Sequence, residues 1–150
     1  MKIMKKIILV FAAISLVALL ACQNYNEDKP VDFNKLPASV QVFINSNYSD
    51  VAVLYSTKDD DLILPDYTVM LKNGVKLQFS NSGELESIKV KEGTVPEGII
   101  PSAIVEYVRS TYPDAIIKGY EVDKNSYEVK LSNRLEIKFN RSFQVVEIDD

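Results

Sequence analysis

Apolar and polar residues alternate between Tyr67 and Phe79. Tyr67, Val69 and Leu71 interleave with Thr68, Met70 and Lys72, and Val75, Leu77 and Phe79 interleave with Lys76 and Gln78. A period of two predicts half-buried strands. Asn73-Gly74 between them is a tight-turn signal, because both residue types accept positive φ. The pattern returns at Tyr127, Val129 and Leu131, then Leu135, Ile137 and Phe139, with Asn133-Arg134 as a weaker turn signal. VAVLY (Val51 to Tyr55) and AIIKGYEV (Ala115 to Val122) read as a strand ahead of each hairpin, and short last strands can follow at Leu85 to Val90 and Val145 to Ile148.

A different period precedes each set. In LPASVQVFINSNYSD (Leu36 to Asp50), Val40, Phe43 and Ile44 recur at helical spacing. IPSAIVEYVRSTYPD (Ile100 to Asp114) repeats this with Ile104, Tyr107 and Val108. Each predicts an amphipathic helix. Pro37 and Pro101 suit a helix start, where a missing N–H costs little, and Pro113 helps stop the second helix.

The sequence therefore predicts an α+β fold made of two tandem α-β-β-β repeats, at 36–90 and 100–150, with KEGTVPEG (Lys91 to Gly98) as linker. A unit of roughly 55 residues buries too little surface to be stable alone. Two units sharing one core give one domain over 36–150. The expected form is one antiparallel sheet with both helices on one face. Its other face, with Thr68, Met70, Lys72, Lys76, Gln78, Glu128, Lys130, Glu136 and Lys138, is polar and expected to face solvent.

The N-terminus lies outside this pattern. Lys2, Lys5 and Lys6 precede an apolar run from Ile7 to Leu20, and Leu19-Leu20-Ala21-Cys22 follows. A basic start, a short apolar run and small residues describe a secretory signal over 1–21. The run is short for a membrane-spanning helix, which needs about 20 residues. The Leu-Leu-Ala-Cys ending resembles the lipobox of bacterial lipoproteins, and the resemblance implies that Cys22 is acylated and becomes the first mature residue. The plainer alternative is an ordinary signal peptide or an uncleaved anchor. Residues 22–35 (Cys22 and QNYNEDKPVDFNK) are polar and predict a flexible tether. The expectation is a protein tied to membrane lipid through Cys22 and facing the periplasm or the exterior.

Charge and composition narrow the chemistry. The net charge is −4, and loss of the three leader lysines would make the mature chain more acidic. That argues against nucleic acid as a partner. The chain has no histidine and one cysteine. The commonest general base is absent, as are a Ser-His-Asp or Cys-His arrangement, the usual nitrogen–sulfur zinc site and any disulfide within the chain. No glycine-rich phosphate loop occurs among 5 glycines. The sequence points away from an enzyme and names no catalytic residue or obligatory cofactor.

Two sets of candidate residues remain. Asp59, Asp60, Asp61 and Asp66 fall in one loop and could supply carboxylates to calcium, although the alternating ligands and glycine of an EF-hand are absent; a solvated loop is the simpler reading. Lys76, Lys130 and Lys138 on the polar sheet face, with Tyr55 and Tyr120 at the ends of the first strands, could contact an envelope protein, since Tyr is enriched at interfaces. Packing at the edge of the core is the simpler reading of both tyrosines. Tyr48, Tyr67, Tyr107, Tyr112 and Tyr127 follow the buried pattern.

These motifs together resemble the PepSY-like, beta-lactamase-inhibitor-like periplasmic proteins. The pattern is Leu36-Pro37 before a helix, Tyr112-Pro113-Asp114 after one, Tyr67 to Gly74 as Tyr-x-Val-x-Leu-x-Asn-Gly, and Leu135 to Phe139 as an apolar alternation ending in Phe. It covers roughly Phe33 to Asp150. The tryptophan that often follows the last-turn glycine in that family is leucine here (Leu85), and Arg141-Ser142-Phe143 lacks the glycine. The resemblance implies a curved sheet whose polar face holds a partner protein, and the partner class it suggests is an extracytoplasmic hydrolase that the protein inhibits or regulates. It also implies a calcium-responsive role as an alternative, and a purely structural envelope role is a third.

Overall fold

A computed structural model of the chain describes residues 28–59 and 66–150. It is an α+β fold with two helices, α1 (Ala38–Asn47) and α2 (Ser102–Thr111), and one nine-stranded sheet. The strands are β1 (Lys29–Pro30), β2 (Val53–Lys58), β3 (Tyr67–Leu71), β4 (Lys76–Phe79), β5 (Leu85–Lys89), β6 (Ile117–Val122), β7 (Ser126–Leu131), β8 (Glu136–Asn140) and β9 (Val145–Asp149). Their spatial order is their chain order, and every neighbouring pair is antiparallel. The short last strands β5 and β9 both form, so each half runs helix then four strands. No helix among the described residues is long and apolar enough to cross a membrane.

Alternation puts one residue set on each side of the sheet. Val69, Leu71, Leu77, Phe79, Ile88, Tyr120, Val129, Ile137 and Phe139 line the inner side and are buried. Both helices cover it, α1 through Val40 and Ile44 and α2 through Ile104, Val105 and Val108. Phe43 of α1 meets Phe79 edge-on at 5.4 Å, and Tyr107 of α2 meets Phe139 at the same distance. Phe79 and Phe139 are fully buried; burying such a ring is worth about 1.5–3 kcal/mol. Pro37 and Pro101 sit at the N-caps of their helices.

Asn73-Gly74 makes the β3–β4 turn, with Gly74 at φ +82°. Arg134 takes the corresponding place between β7 and β8 at φ +76°. Likewise Gly83 (φ +81°) and Phe143 (φ +60°) hold the last turns. A Cβ on Gly83 would lie 2.0 Å from the Ser39 hydroxyl oxygen, so glycine there also lets the turn approach α1.

The structure departs from expectation in two places. Residues 28–35, expected as tether, belong to the fold: Lys29–Pro30 pair with Lys58 and Thr57, Phe33–Lys35 form a 3-10 turn, and Val31 and Phe33 pack on the core. Polar composition hid this, because the segment docks largely through backbone pairing and only Val31 and Phe33 pack on the core. The second departure is Tyr120, expected as a candidate contact residue, which is 3% exposed. A bulge between Ile117 and Gly119 shifts the alternation and turns Tyr120 inward. The matching bulge between Val53 and Tyr55 leaves Tyr55 on the outer side and sends Ser56 inward.

The signal segment 1–21, Cys22 and the tether as far as residue 27 lie outside the described residues, as do Asp60 and Asp61.

Candidate partner-binding face

The helices leave the other sheet face bare. Its side chains form two cross-strand rows, fixed by the register. One runs Tyr55, Met70, Lys76, Lys89, Gly119, Lys130, Glu136, Asp149. The other runs Thr57, Thr68, Gln78, Ser87, Glu121, Glu128, Lys138, Glu147. From β2 to β5 the two rows are apolar, neutral or basic. From β6 to β9 they carry five carboxylates and two lysines. The face is therefore split into a neutral-to-basic half and an acidic half.

A network of charges joins the halves. Lys130 Nζ lies 3.0 Å from Glu136, 3.4 Å from Glu128 and 3.8 Å from Glu121. Glu121 also holds Lys89 at 3.1 Å, across the β5–β6 seam. Gly119 makes room for this: a Cβ there would stand 3.3 Å from the Lys130 Cβ. The hydrogen bond to Glu136 raises the Lys130 pKa above the ordinary lysine value, partial burial opposes it, and the glutamate charges add to the rise.

The three predicted lysines thus share a face but not a role. Lys130 is tied by three glutamates. Lys138 stands between Glu128 and Glu147, and Lys76 between Met70 and Lys89. Neither Lys76 nor Lys138 is ion-paired among the described residues. Lys76 and Lys138 are four strands apart, about 19 Å at the usual strand spacing, and Tyr55 is two strands further. Tyr55 is 47% exposed beside exposed Leu54 and makes an apolar corner at the β2 edge. Tyr120 is instead stacked on Tyr127 at 6.2 Å, and burial first of all pushes its hydroxyl up to about 12.

The predicted calcium loop is only partly in view. The Asp59 N–H donates to the Asp66 carbonyl at 3.0 Å, which closes the base of the loop. Asp66 lies near the end of β5, where Glu86 protrudes from a bulge. Desolvation chiefly, then the charges of Asp66, Asp123 and Glu84, raise the Glu86 pKa. An open cleft of about 400 Å³ at this end is lined by Glu84, Glu86, Asp123, Lys124 and Arg141 among others. Among the described residues no group of three or more carboxylates, cysteines or histidines is arranged to hold a metal ion. Sequence reading missed Glu121 and Glu86, since their neighbours follow from strand register and from a bulge.

Comparison with known proteins agrees with this architecture. The family described as "Putative beta-lactamase-inhibitor-like, PepSY-like" matches residues 65–147. A solved "putative calcium-regulated periplasmic protein" of Bacteroides thetaiotaomicron is 41% identical, with a TM-score of 0.79 over 82% of this chain and 97% of that one. A "putative periplasmic protein" of Bacteroides vulgatus is 39% identical, with a TM-score of 0.79 over 85% of this chain and 100% of that one. Another from the same organism, of unknown function, is 31% identical, with a TM-score of 0.78 over 83% and 100%. A search of curated proteins gave no match.

Proposed function

The chain belongs to the PepSY-like, beta-lactamase-inhibitor-like family, and from that membership we propose that it is a lipid-anchored binding module of the cell envelope, an inhibitor or regulator of an extracytoplasmic hydrolase. Its solved relatives are described as periplasmic proteins, which supports an envelope or periplasmic location. In this reading Cys22 carries the lipid, and the domain meets its partner through the bare sheet face.

The observation that carries the reading is the division of that face. An uncovered nine-stranded surface with a neutral-to-basic half and an acidic half offers a partner orientation as well as contact. Complementary charge steers encounter and rejects wrong partners. Lys76, free of ion pairs among the described residues, and Tyr55 mark one half; Lys138 marks the other.

The test is capture. The full chain in neutral detergent is immobilised and exposed to solubilised envelope proteins. The double variant Lys76→Glu, Lys138→Glu runs beside it. A saturable partner retained by the parent and lost by the variant supports the reading, and an identified hydrolase is then assayed for inhibition. Equal retention by both, or none by either, counts against the face. Lys130 is left out of the variant because its glutamates make it part of the fold.

A second reading, calcium responsiveness, has one observation in its favour. A relative 41% identical is described as "calcium-regulated", and the closed loop base between Asp59 and Asp66 here stands beside the acidic end of β5. Titration calorimetry with millimolar calcium decides it: heat and a thermal shift that vanish in Asp60→Asn, Asp61→Asn support the site, and neither effect in the parent rejects it.

A further inference from the structure

Strands β5 and β9 hold the same place in the two halves. Ile88 faces Leu77 as Ile148 faces Ile137, and Leu85 faces Phe79 as Val145 faces Phe139, with a bulge at the same step. They differ in what lies next door. The far edge of β5 is paired with β6, whereas β9 has no further neighbour among the described residues. Burial follows: Ile88 is 0% exposed and Ile148 46%, with Val146 and Phe143 also exposed. An edge strand of this kind presents unpaired N–H and C=O groups, a template for another chain.

The fold itself shows what suits such an edge. β6 sets Glu121, Tyr120 and Gly119 against Ser87, Ile88 and Lys89, and Glu121 forms an ion pair with Lys89 at 3.1 Å. At the matching positions β9 presents Glu147, Ile148 and Asp149, so acids stand where β5 has a neutral serine and a lysine. Asp149 stands directly opposite Glu136, whose carboxylate is already held by Lys130 at 3.0 Å, so Asp149 is the carboxylate of this pair left for a cation. The complementary strand has cations in the first and third places and an apolar or aromatic residue between them over Ile148.

We propose that β9 is a docking edge for an extended basic–apolar segment of a partner protein, added antiparallel as a tenth strand. A second copy of this chain is the wrong occupant. Two β9 strands paired about a two-fold axis at Glu147 or Ile148 set Glu147 against Glu147 or against Asp149. The carboxylates that repel another copy attract the cationic strand. This contact uses the sheet edge, so it goes beyond the reading given to the bare face.

The experiment uses the full chain in neutral detergent and three capped peptides: Val-Lys-Tyr-Lys-Val, its glutamate counterpart, and Pro-Lys-Pro-Lys-Pro, which keeps the charge but lacks the ladder donors at the apolar places. Hydrogen exchange over 145–149 and binding affinity are read. The lysine–tyrosine peptide is expected to slow exchange there, and the other two are not. Binding weakens at least about tenfold in Glu147→Gln, Asp149→Asn, a variant that keeps side-chain shape at exposed positions, sets no like charge against Lys138, and keeps the parent's denaturation midpoint. Lys76→Glu leaves this binding unchanged, which separates it from contact at the face. Equal protection by the proline peptide, protection elsewhere only, or indifference to the double variant overturns the proposal. So does protection of β9 that grows with protein concentration alone, which would report a second copy.

Discussion

The Ser56 hydroxyl donates to the Val31 carbonyl at 2.7 Å, while the Val31 N–H donates to the Ser56 carbonyl at 3.0 Å. This reciprocal pair clasps the segment before α1 to the buried side of β2. Ser56→Ala removes one buried hydrogen bond and should cost about 1–2 kcal/mol, read from the chemical denaturation midpoint. Hydrogen exchange should quicken over residues 29–36 before it does elsewhere. If that segment stays equally protected, Val31 and Phe33 hold it by packing alone.

Arg134 carries a left-handed backbone at φ +76° where the first half uses Gly74. A side chain in that region costs about 1 kcal/mol. Arg134 is exposed, and its side chain makes no hydrogen bond or ion pair among the described residues. Arg134→Gly should therefore stabilise the fold by up to about 0.5 kcal/mol, after allowance for glycine's greater freedom when unfolded. The thermal midpoint should rise; a fall would mean that chain entropy outweighs the strain.

Glu86 predicts a pH dependence. Burial, then Asp66, Asp123 and Glu84, raise its pKa in the folded state. The folded chain then holds a proton more tightly than the unfolded one. Glu86 thus opposes folding above its folded pKa, and the penalty is relieved as pH falls through that value. Glu86→Gln should raise the thermal midpoint at pH 8, with the gain shrinking towards pH 4. A gain that is flat over this range would assign the effect to packing.

Lys130 predicts a salt dependence. Lys130→Met leaves Glu121, Glu128 and Glu136 without their shared cation, and the loss should be about 1 kcal/mol, since partly exposed pairs are individually weak. Added salt screens the remaining repulsion, so the gap to the parent should narrow at 0.5 M sodium chloride. Lys76→Met, with no ion pair to lose, should shift the midpoint little. Equal losses in both variants would remove the network's structural role.

The alternation from Tyr67 to Phe79 and from Tyr127 to Phe139 was legible because burial on one face imposes period two directly. The helices at Val40 and Ile104 were legible for the same reason at helical spacing. Tyr120 was misplaced because a bulge breaks that period, and nothing local in AIIKGYEV announces the bulge except Gly119. β1 was missed because Lys29-Pro30 is too short to carry a period and pairs through backbone atoms. The face residues were legible one by one as polar positions on strands. Which of them neutralise each other was not, since Lys130 meets Glu121 only through a register set across two strands.

A sheet whose strands lie side by side in the order of synthesis has a further consequence. Each strand needs only its predecessor as a template; the two long connections, before β2 and before β6, are taken up by α1 and α2, and the other loops are short, so the entropy of closure is modest. A chain that arrives N-terminus first can add strands as they appear, without holding an edge open for a distant partner. The two strands at the ends of that order among the described residues, β1 and β9, then each keep a free side, and of these β9 is the longer.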